Sequence, residues 1–464
     1  MRRAWLQPAL LAVPFIVGIA ALKGLTVEID TFHGSDARVY QLPTILGLSE
    51  RFDLSDYPSA QTPLYHVLTA WWGELVGFEL WKLRLLNVLF SYGMALALLR
   101  LLRRATPLGS WQAFALTLLF VLSPYVFGVS FTLLTDNLAI LFALIALERV
   151  HAYSRRWSLG AFAVACLAIC AALLTRQAFV WLLLVAAFFL LRRRGPARDK
   201  LIGAGLLALS VVPLGLLVLE WNGLVPPSAD PASCGLCEDR AGLTRESVTL
   251  RTVGFTIALA GLYGSVIFGP SLWRRLQALR SPGVQAARSL LATPTAQALR
   301  ATPAGRALEG ATRDLTQGAR LPSRRVLLLA AGAGALLLLI SPLLYKPTVP
   351  AGAGDAGYLW KISDELPALL GSSLAFWVLV PLGCVVLLLL VRRSGIESLP
   401  AVYLAAFLLA ALPVALVYQK YFDPFVLLAL ALLARPPDLR RPSDYAGVGL
   451  LGVAFVAYAL SFVD

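Results

Sequence analysis

Long apolar runs bounded by arginines, prolines and short polar segments recur from one end of the chain to the other. They lie near 5–24, 83–102, 110–129, 132–150, 158–175, 177–191, 201–220, 252–271, 326–344, 368–391, 399–418, 424–434 and 445–463. An α-helix of 20 residues is about 30 Å long, the thickness of a bilayer's hydrocarbon core, so these runs predict membrane-crossing helices. The twelfth is short for a crossing, and the gap between the third and fourth is tight. The first follows Met1-Arg2-Arg3, and no small-residue cleavage site precedes Lys23. It therefore reads as a retained span rather than a signal peptide. The fold class that follows is all-α: a polytopic membrane protein of about thirteen transmembrane helices, forming a single integral membrane domain over 1–464.

The polar segment 25–82 has a second kind of pattern. Leu64, Val67, Leu68, Trp71, Trp72 and Leu75 recur at helical spacing, in a stretch too short and too polar on its other face to span. Thr62 is placed to cap this helix, and Pro63 suits its first turn. A looser stripe, Val39, Leu42, Ile45 and Leu46, precedes it. Both predict amphipathic helices lying on the membrane surface, the tryptophans at headgroup depth.

Composition agrees with this reading: 58 % of residues are hydrophobic, 14 % are charged and the mean hydropathy is +0.75. Soluble domains carry about 25 % charged residues. The deficit excludes a soluble enzyme, a coiled coil, a collagen-like fibre and a disordered chain. The net charge of +14 rests on 34 Arg and 6 Lys. These bases flank the apolar runs instead of forming a stripe, which argues against a nucleic-acid partner and for orientation signals. With a cytoplasmic N-terminus, the inner segments sum to +21 and the outer ones to −7. That is the asymmetry of the positive-inside rule. It puts three long loops outside (25–82, 221–251 and 345–367) and one inside (273–325). The inner loop carries ten Arg against Glu309 and Asp314, broken by Pro282, Pro294 and Pro303. It reads as a linker held against anionic lipid. The Arg-over-Lys and Ala/Leu bias points to a GC-rich genome, and so to a prokaryotic source.

Five cysteines are too few for a disulfide scaffold. Cys166, Cys170 and Cys384 lie in apolar runs as packing residues. Cys234 and Cys237, in an outer loop, suit a local disulfide or free thiols better than zinc, since a second ligand pair is missing. His33 and His66 fit no defined metal-ligand spacing, and no metal is expected. Neither a nucleophile elbow nor a glycine-rich phosphate loop is present.

Charged residues at the ends of spans are the candidate chemistry. Asp136, Arg176, Glu220 and Lys420 sit at or just inside the outer ends, on the side of the long first loop. Ionisable groups cost about 2.5–3.5 kcal/mol at the centre of a bilayer on insertion scales and tend to pair or to serve a site. Trp221 beside Glu220 suggests an interface anchor.

The acid-bearing surface helices after the first span resemble the first extracytoplasmic loop of the polytopic C-type glycosyltransferases. Further segments sharpen the likeness. They are Tyr57-Pro58, Thr62-Pro63-Leu64-Tyr65, Arg84-Leu85-Leu86-Asn87, Leu134-Thr135-Asp136-Asn137, Thr175-Arg176-Gln177, Glu220-Trp221-Asn222-Gly223 and Gln419-Lys420-Tyr421-Phe422-Asp423-Pro424-Phe425. In this order they resemble the dolichyl-phosphate-glucose α-1,2-glucosyltransferase family, which adds the last glucose to the lipid-linked oligosaccharide. The match covers most of the chain to the seventh span and thins until the twelfth. The family's first-loop motif resembles Asp-Glu-x-x-His, whereas Asp36 is followed by Ala37 and Tyr40 stands at the His position. The family's Arg at the twelfth span is Lys420 here.

The resemblance implies an inverting transfer of a hexose, glucose first, from a polyprenyl-phosphate donor to a lipid-linked glycan, at the extracytoplasmic face and without a cofactor. The membrane would be the plasma membrane of a prokaryote or the endoplasmic reticulum of a eukaryote. Asp36 is the candidate general base, which takes the acceptor's proton as it attacks the anomeric carbon. Arg176 and Lys420 are the candidates for the donor phosphate. Asp136, Gln177, Tyr65 and His33 are candidates for positioning sugar or acceptor. Three alternatives keep parts of this reading: a C-type transferase for another sugar or a protein acceptor, a secondary transporter or lipid flippase, and a non-catalytic scaffold. Charges gathered at the outer edge and the lack of an internal repeat argue against transport.

Overall fold

Helices occur where the apolar runs do. The computed structural model describes residues 5–26, 37–55, 57–156, 158–226, 250–280, 323–343, 357–413 and 417–460. In chain order the main helices are α1 Leu6–Ala21, α2 Leu42–Glu50, α3 Leu64–Val76, α4 Leu80–Ala105 and α5 Ser110–Leu122. There follow α6 Asp136–Arg155, α7 Leu159–Thr175, α8 Trp181–Arg192, α9 Ala197–Leu209, α10 Val212–Glu220, α11 Arg251–Arg280 and α12 Arg324–Ile340. The last five are α13 Tyr358–Asp364, α14 Leu374–Ser394, α15 Leu399–Ala411, α16 Asp423–Leu433 and α17 Tyr445–Leu460. Among the described residues, five helices are long and apolar enough to cross a membrane, six if the bent pair beginning with α5 counts as one. Outward side chains of these and the shorter helices are apolar: Leu191, Leu201, Leu219, Leu329 and Val453 are all well exposed. A soluble protein does not carry such a belt, and the fold is a polytopic α-helical membrane bundle.

Packing falls around two groups. One is α4, α6 and α7 with α8 beside them; the other is α11, α12 and α14. In the second, α11 and α14 cross at glycines. A Cβ on Gly261 would lie 2.2 Å from the Leu379 carbonyl oxygen, and one on Gly383 would lie 1.9 Å from that of Ile257. Small residues that let backbones touch are the usual means of helix association in lipid. α16 lies between the groups, touching α5, α11 and α15.

The predicted elements change in four places. The third, 110–129, breaks at Ser123, which is extended (φ −53°, ψ 130°) because Pro124 disfavours the helical conformation before it. The chain then turns by 70° into a short segment ending at Phe131. The tenth does not start at 368. Residues 368–369 pair with 372–373 in a two-residue antiparallel hairpin, and the turn holds Leu370 at φ 48° and Gly371 at φ 77°. α16, predicted to cross, has 11 residues, about 16 Å of helix, and is buried on almost every side. It is a half-length core helix. In the first loop, α3 forms as its stripe predicts, but Thr62 does not cap it. Its Oγ1 donates to the Leu173 carbonyl at 2.7 Å, tying the loop to α7, and Pro63 stands at the N-cap. The inner face of α3 is Tyr65, His66, Thr69, Ala70 and Gly73, while Trp71 and Leu75 on the stripe stay exposed.

Irregular backbone inside a membrane bundle must find its hydrogen bonds in the protein. Two asparagines supply them for 123–135. Asn87 Nδ2 donates to the carbonyls of Val129 (2.7 Å) and Thr132 (2.5 Å). Asn137 Nδ2 donates to the Val126 carbonyl (3.0 Å) and to the Ser91 and Ser130 hydroxyls (2.8 and 3.1 Å).

At the other end of α4 and α6, buried Glu148 gathers Arg104, Arg149 and Arg100. Asp438 and Asp444 are likewise buried, held by Arg393 and Arg274. The basic flanks of the sequence thus close one end of the bundle, and the candidate site lies at the opposite one.

Candidate functional site

Three breaks in helical structure meet at that opposite end. Asp136 is the first residue of α6, where a carboxylate is favoured by the helix dipole. Its neighbour Thr135 donates through Oγ1 to Gln61 Oε1 at 2.6 Å, fixing the first loop against the helix start. Arg176 stands at the break after α7, extended at φ −154°, before the tight turn Gln177–Val180 that leads into α8. Lys420 lies on the turn Gln419–Tyr421 that precedes α16.

The Arg176 guanidinium pairs with the Asp136 carboxylate, and both side chains are largely buried. Arg176 also lies 5.6 Å from the centroid of the Tyr421 ring, and Lys420 Nζ is 5.3 Å from the same ring. The Tyr418 ring is 6.0 Å from Lys420 Nζ. A tyrosine face attracts cations, so Tyr421 holds two positive groups near one another that would otherwise repel. Arg176, Lys420 and Asp136 together leave one net positive charge.

These residues form the polar end of a cavity of ≈ 280 Å³. Its remaining walls are apolar, with Ile140, Phe179, Trp181, Phe407, Ala410 and Phe425 foremost. The aromatic side is packed ring on ring: Phe407 stacks on Phe425 at 4.7 Å, Phe425 meets Phe179 edge-on at 5.5 Å and Trp181 at 5.9 Å. Chemically it is an amphipathic slot. It has a cationic mouth suited to one phosphate and an apolar bore lined from α6, the α7–α8 turn, α15 and α16.

No protein-family model matches the chain. Nor does any curated protein. Among solved structures, ArnT from Cupriavidus metallidurans in the apo state is similar at 17 % identity and a TM-score of 0.39, covering 92 % of this chain and 78 % of that one. The same enzyme bound to undecaprenyl phosphate gives 18 % identity, the same TM-score of 0.39 and the same coverage of 92 % and 78 %. At these values the likeness assigns no role to any residue here.

Of the residues singled out from the sequence, Asp136, Arg176 and Lys420 come together at the cavity. Gln177 does not line it; its Nε2 donates to the Ala60 carbonyl at 2.8 Å and holds the first loop to the α7–α8 bend. Tyr65 is buried on the inner face of α3 against His66. Asp36 and His33, and also Cys234 and Cys237, lie outside the described residues. Glu220 is exposed and away from the cavity walls. Its neighbour Trp221, expected to anchor at the interface, is instead buried. It stacks on Tyr57 at 5.9 Å and donates to the Leu54 carbonyl at 2.8 Å. His66 is wholly buried, with Nε2 on Gln41 Oε1 and Nδ1 on the Tyr57 hydroxyl, each at 2.5 Å. Burial pushes its pKa down to about 3. A neutral ring with both nitrogens engaged is a structural knot for the loop.

Sequence reasoning missed Gln61 and Tyr421 as wall residues, and missed the aromatic bore. Tyr421 was within reach, since it lies beside Lys420 in the quoted motif. The bore was not, because its residues come from apolar runs that look alike in sequence.

Proposed function

We propose that the chain is an inverting, C-type membrane glycosyltransferase that moves a hexose, glucose first, from a polyprenyl-phosphate donor to a lipid-linked glycan at the extracytoplasmic face. The observation that carries this reading is the cavity: two cations and a carboxylate at one end of an aromatic bore match a lipid whose only charge is its phosphate. Arg176 would engage the phosphate oxygens through its planar fork, and Lys420 would act as a point charge. Isoprene units would lie against Phe179, Trp181, Phe407 and Phe425.

The acceptor hydroxyl attacks the anomeric carbon from the face opposite the phosphate, and Asp36 takes its proton. The bond between anomeric carbon and phosphate oxygen breaks with its electron pair going to the phosphate. Arg176 and Lys420 then stabilise the charge that grows on the leaving polyprenyl phosphate, a contribution of the preorganised electrostatic kind. One displacement on a β-linked donor gives an α-product. Asp136 keeps Arg176 oriented between turnovers.

The test supplies the purified chain with polyprenyl-phosphate glucose and a short lipid-linked oligosaccharide, and reads the product by mass spectrometry. One added hexose with the native chain and none with Asp36→Asn is the expected result. Transfer that persists in Asp36→Asn would remove Asp36 from the mechanism. No transfer with any polyprenyl-phosphate hexose, alongside movement of lipid across sealed vesicles, would replace the reading with transport.

A further inference from the structure

The turn that carries Lys420 and Tyr421 is built around a carboxylate the mechanism above does not use. Asp423 opens α16 with no exposed surface. Four donors converge on it: the Ser123 hydroxyl at 2.6 Å, the Tyr358 hydroxyl at 3.0 Å, Gln419 Nε2 at 3.2 Å and the Tyr263 hydroxyl. They come from the break after α5, from α13, from the turn itself and from α11. A carboxyl group so deeply buried must have its oxygens hydrogen-bonded, and the converging donors do this.

What the donors hold in common is the cavity. The segment that follows Ser123 carries Tyr125, a wall residue. The Tyr125 hydroxyl accepts from the Tyr358 backbone amide at 3.3 Å, and the two rings stack at 5.8 Å. The Gln419 side chain is gripped at both ends. Its Nε2 faces Asp423 and the Tyr263 hydroxyl, and its Oε1 accepts from the Leu359 amide at 2.9 Å. Trp360 Nε1 donates to the Val417 carbonyl at 2.8 Å on the far side of the turn. Gly357 makes this approach possible at φ +124°, since a Cβ there would lie 2.4 Å from Gln419 Cβ and 2.8 Å from the Tyr125 hydroxyl oxygen. Residues 417–423 are thus fixed from both sides, and Lys420 and Tyr421 project from the fixed turn into the cavity.

We infer that Asp423 is a positioning residue for phosphate recognition: through Gln419, Tyr263 and Tyr358 it sets the backbone from which Lys420 and Tyr421 meet the lipid phosphate. This rests on the reading of the cavity as a polyprenyl-phosphate site. A carboxylate that merely completed the core would support folding equally well wherever Lys420 pointed, so the two roles differ in how Asp423 couples to Lys420.

The experiment measures equilibrium binding of farnesyl phosphate and of farnesol to the full chain in detergent, and takes the ratio of the two affinities. Native protein prefers the phosphate, and Lys420→Ala loses about tenfold of that preference. Asp423→Asn loses a similar factor while keeping its farnesol affinity, and adds less than twofold when combined with Lys420→Ala. Tyr263→Phe, which removes one hydroxyl at constant shape, shows the same coupling and serves where Asp423→Asn does not fold. Losses that add in full in the double variants, or an unchanged phosphate preference in a folded Asp423→Asn or Tyr263→Phe, overturn the inference and leave the cavity reading intact. A native chain that binds farnesol as well as farnesyl phosphate overturns both.

Discussion

The pairing of Arg176 with Asp136 makes one quantitative prediction possible. Arg176→Gln removes a cation from the mouth and at the same time strands a carboxylate that is only 22 % exposed. A phosphate about 5 Å from the guanidinium, at an effective dielectric of about 20, is attracted by roughly 3 kcal/mol. Asp136 at a similar distance repels it by a like amount, and in the native protein the contributions of these two nearly cancel. In Arg176→Gln the repulsion stands alone, so the affinity for farnesyl phosphate should fall on the order of 10²-fold. Asp136→Asn should do the opposite and tighten binding of the free phosphate. The double variant Arg176→Gln/Asp136→Asn restores the native charge of the mouth, and its affinity should recover to within about tenfold of native.

Titration with farnesyl phosphate and farnesol, repeated at low and high salt, separates this from loss of shape. The effects should appear with the phosphate alone and shrink as salt screens the mouth. A double variant that binds no better than Arg176→Gln would refute the argument, because the neutral pair would then matter for its geometry and not for its charge. So would an Arg176→Gln protein whose phosphate preference is unchanged.

Three further outcomes follow from particular contacts. Ala410→Trp fills the bore and should abolish binding of farnesyl phosphate and of farnesol alike, while inorganic phosphate, titrated directly, still binds at the charged end. Asn137→Leu removes the amide donor to the Ser91 and Ser130 hydroxyls and one of the two side-chain donors to the Val126 carbonyl, and should cost about 1–3 kcal/mol of stability in a denaturation assay, with the phosphate-to-alcohol affinity ratio unchanged in the folded fraction. His66 has a folded pKa of about 3, so below pH 6.5 the unfolded chain binds a proton there that the folded one does not. Stability must fall as pH falls through that window, by roughly 2 kcal/mol between pH 6.5 and 5. His66→Gln should be less stable at neutral pH but lose less on acidification, and an identical pH slope in the two proteins would count against the buried neutral ring.

Much of this architecture is legible in the sequence because lipid makes a simple demand: twenty apolar residues, with polar ones at the ends. Helix positions, the amphipathic α3 and the meeting of Asp136, Arg176 and Lys420 all follow from that demand. The misses have a common cause. The break at Ser123 needs Pro124 read as a stop within a run that stays apolar through it. α16 looks like a span because burial in a protein core and burial in lipid select the same side chains. Thr62 reads as a cap from local spacing, yet its hydroxyl serves a carbonyl 111 residues away. Trp221 reads as an interface anchor, yet a ring and an indole N–H satisfied inside the bundle have the same sequence signature as one at the headgroups.

The quoted segments also divide in a way that spacing alone does not disclose. Arg176, Lys420 and Asp136 meet at the cavity, whereas Asn87, Asn137, Gln177 and Gln419 bond the backbone around it and Asp423 gathers side chains from four segments. A mouth made where three helices break exposes carbonyls and amides that a continuous helix would satisfy itself. In a lipid-embedded bundle those groups need partners from the protein at fixed places. Polar residues at the ends of these apolar runs are therefore as much the cost of breaking the helices as the means of binding a phosphate. The same logic explains why a deeply buried carboxyl group sits between two residues of the cavity wall, Phe422 and Pro424. A lysine on a long flexible stem gives a defined charge only if the turn beneath it does not move, and Asp423, with its four donors, is what keeps that turn still.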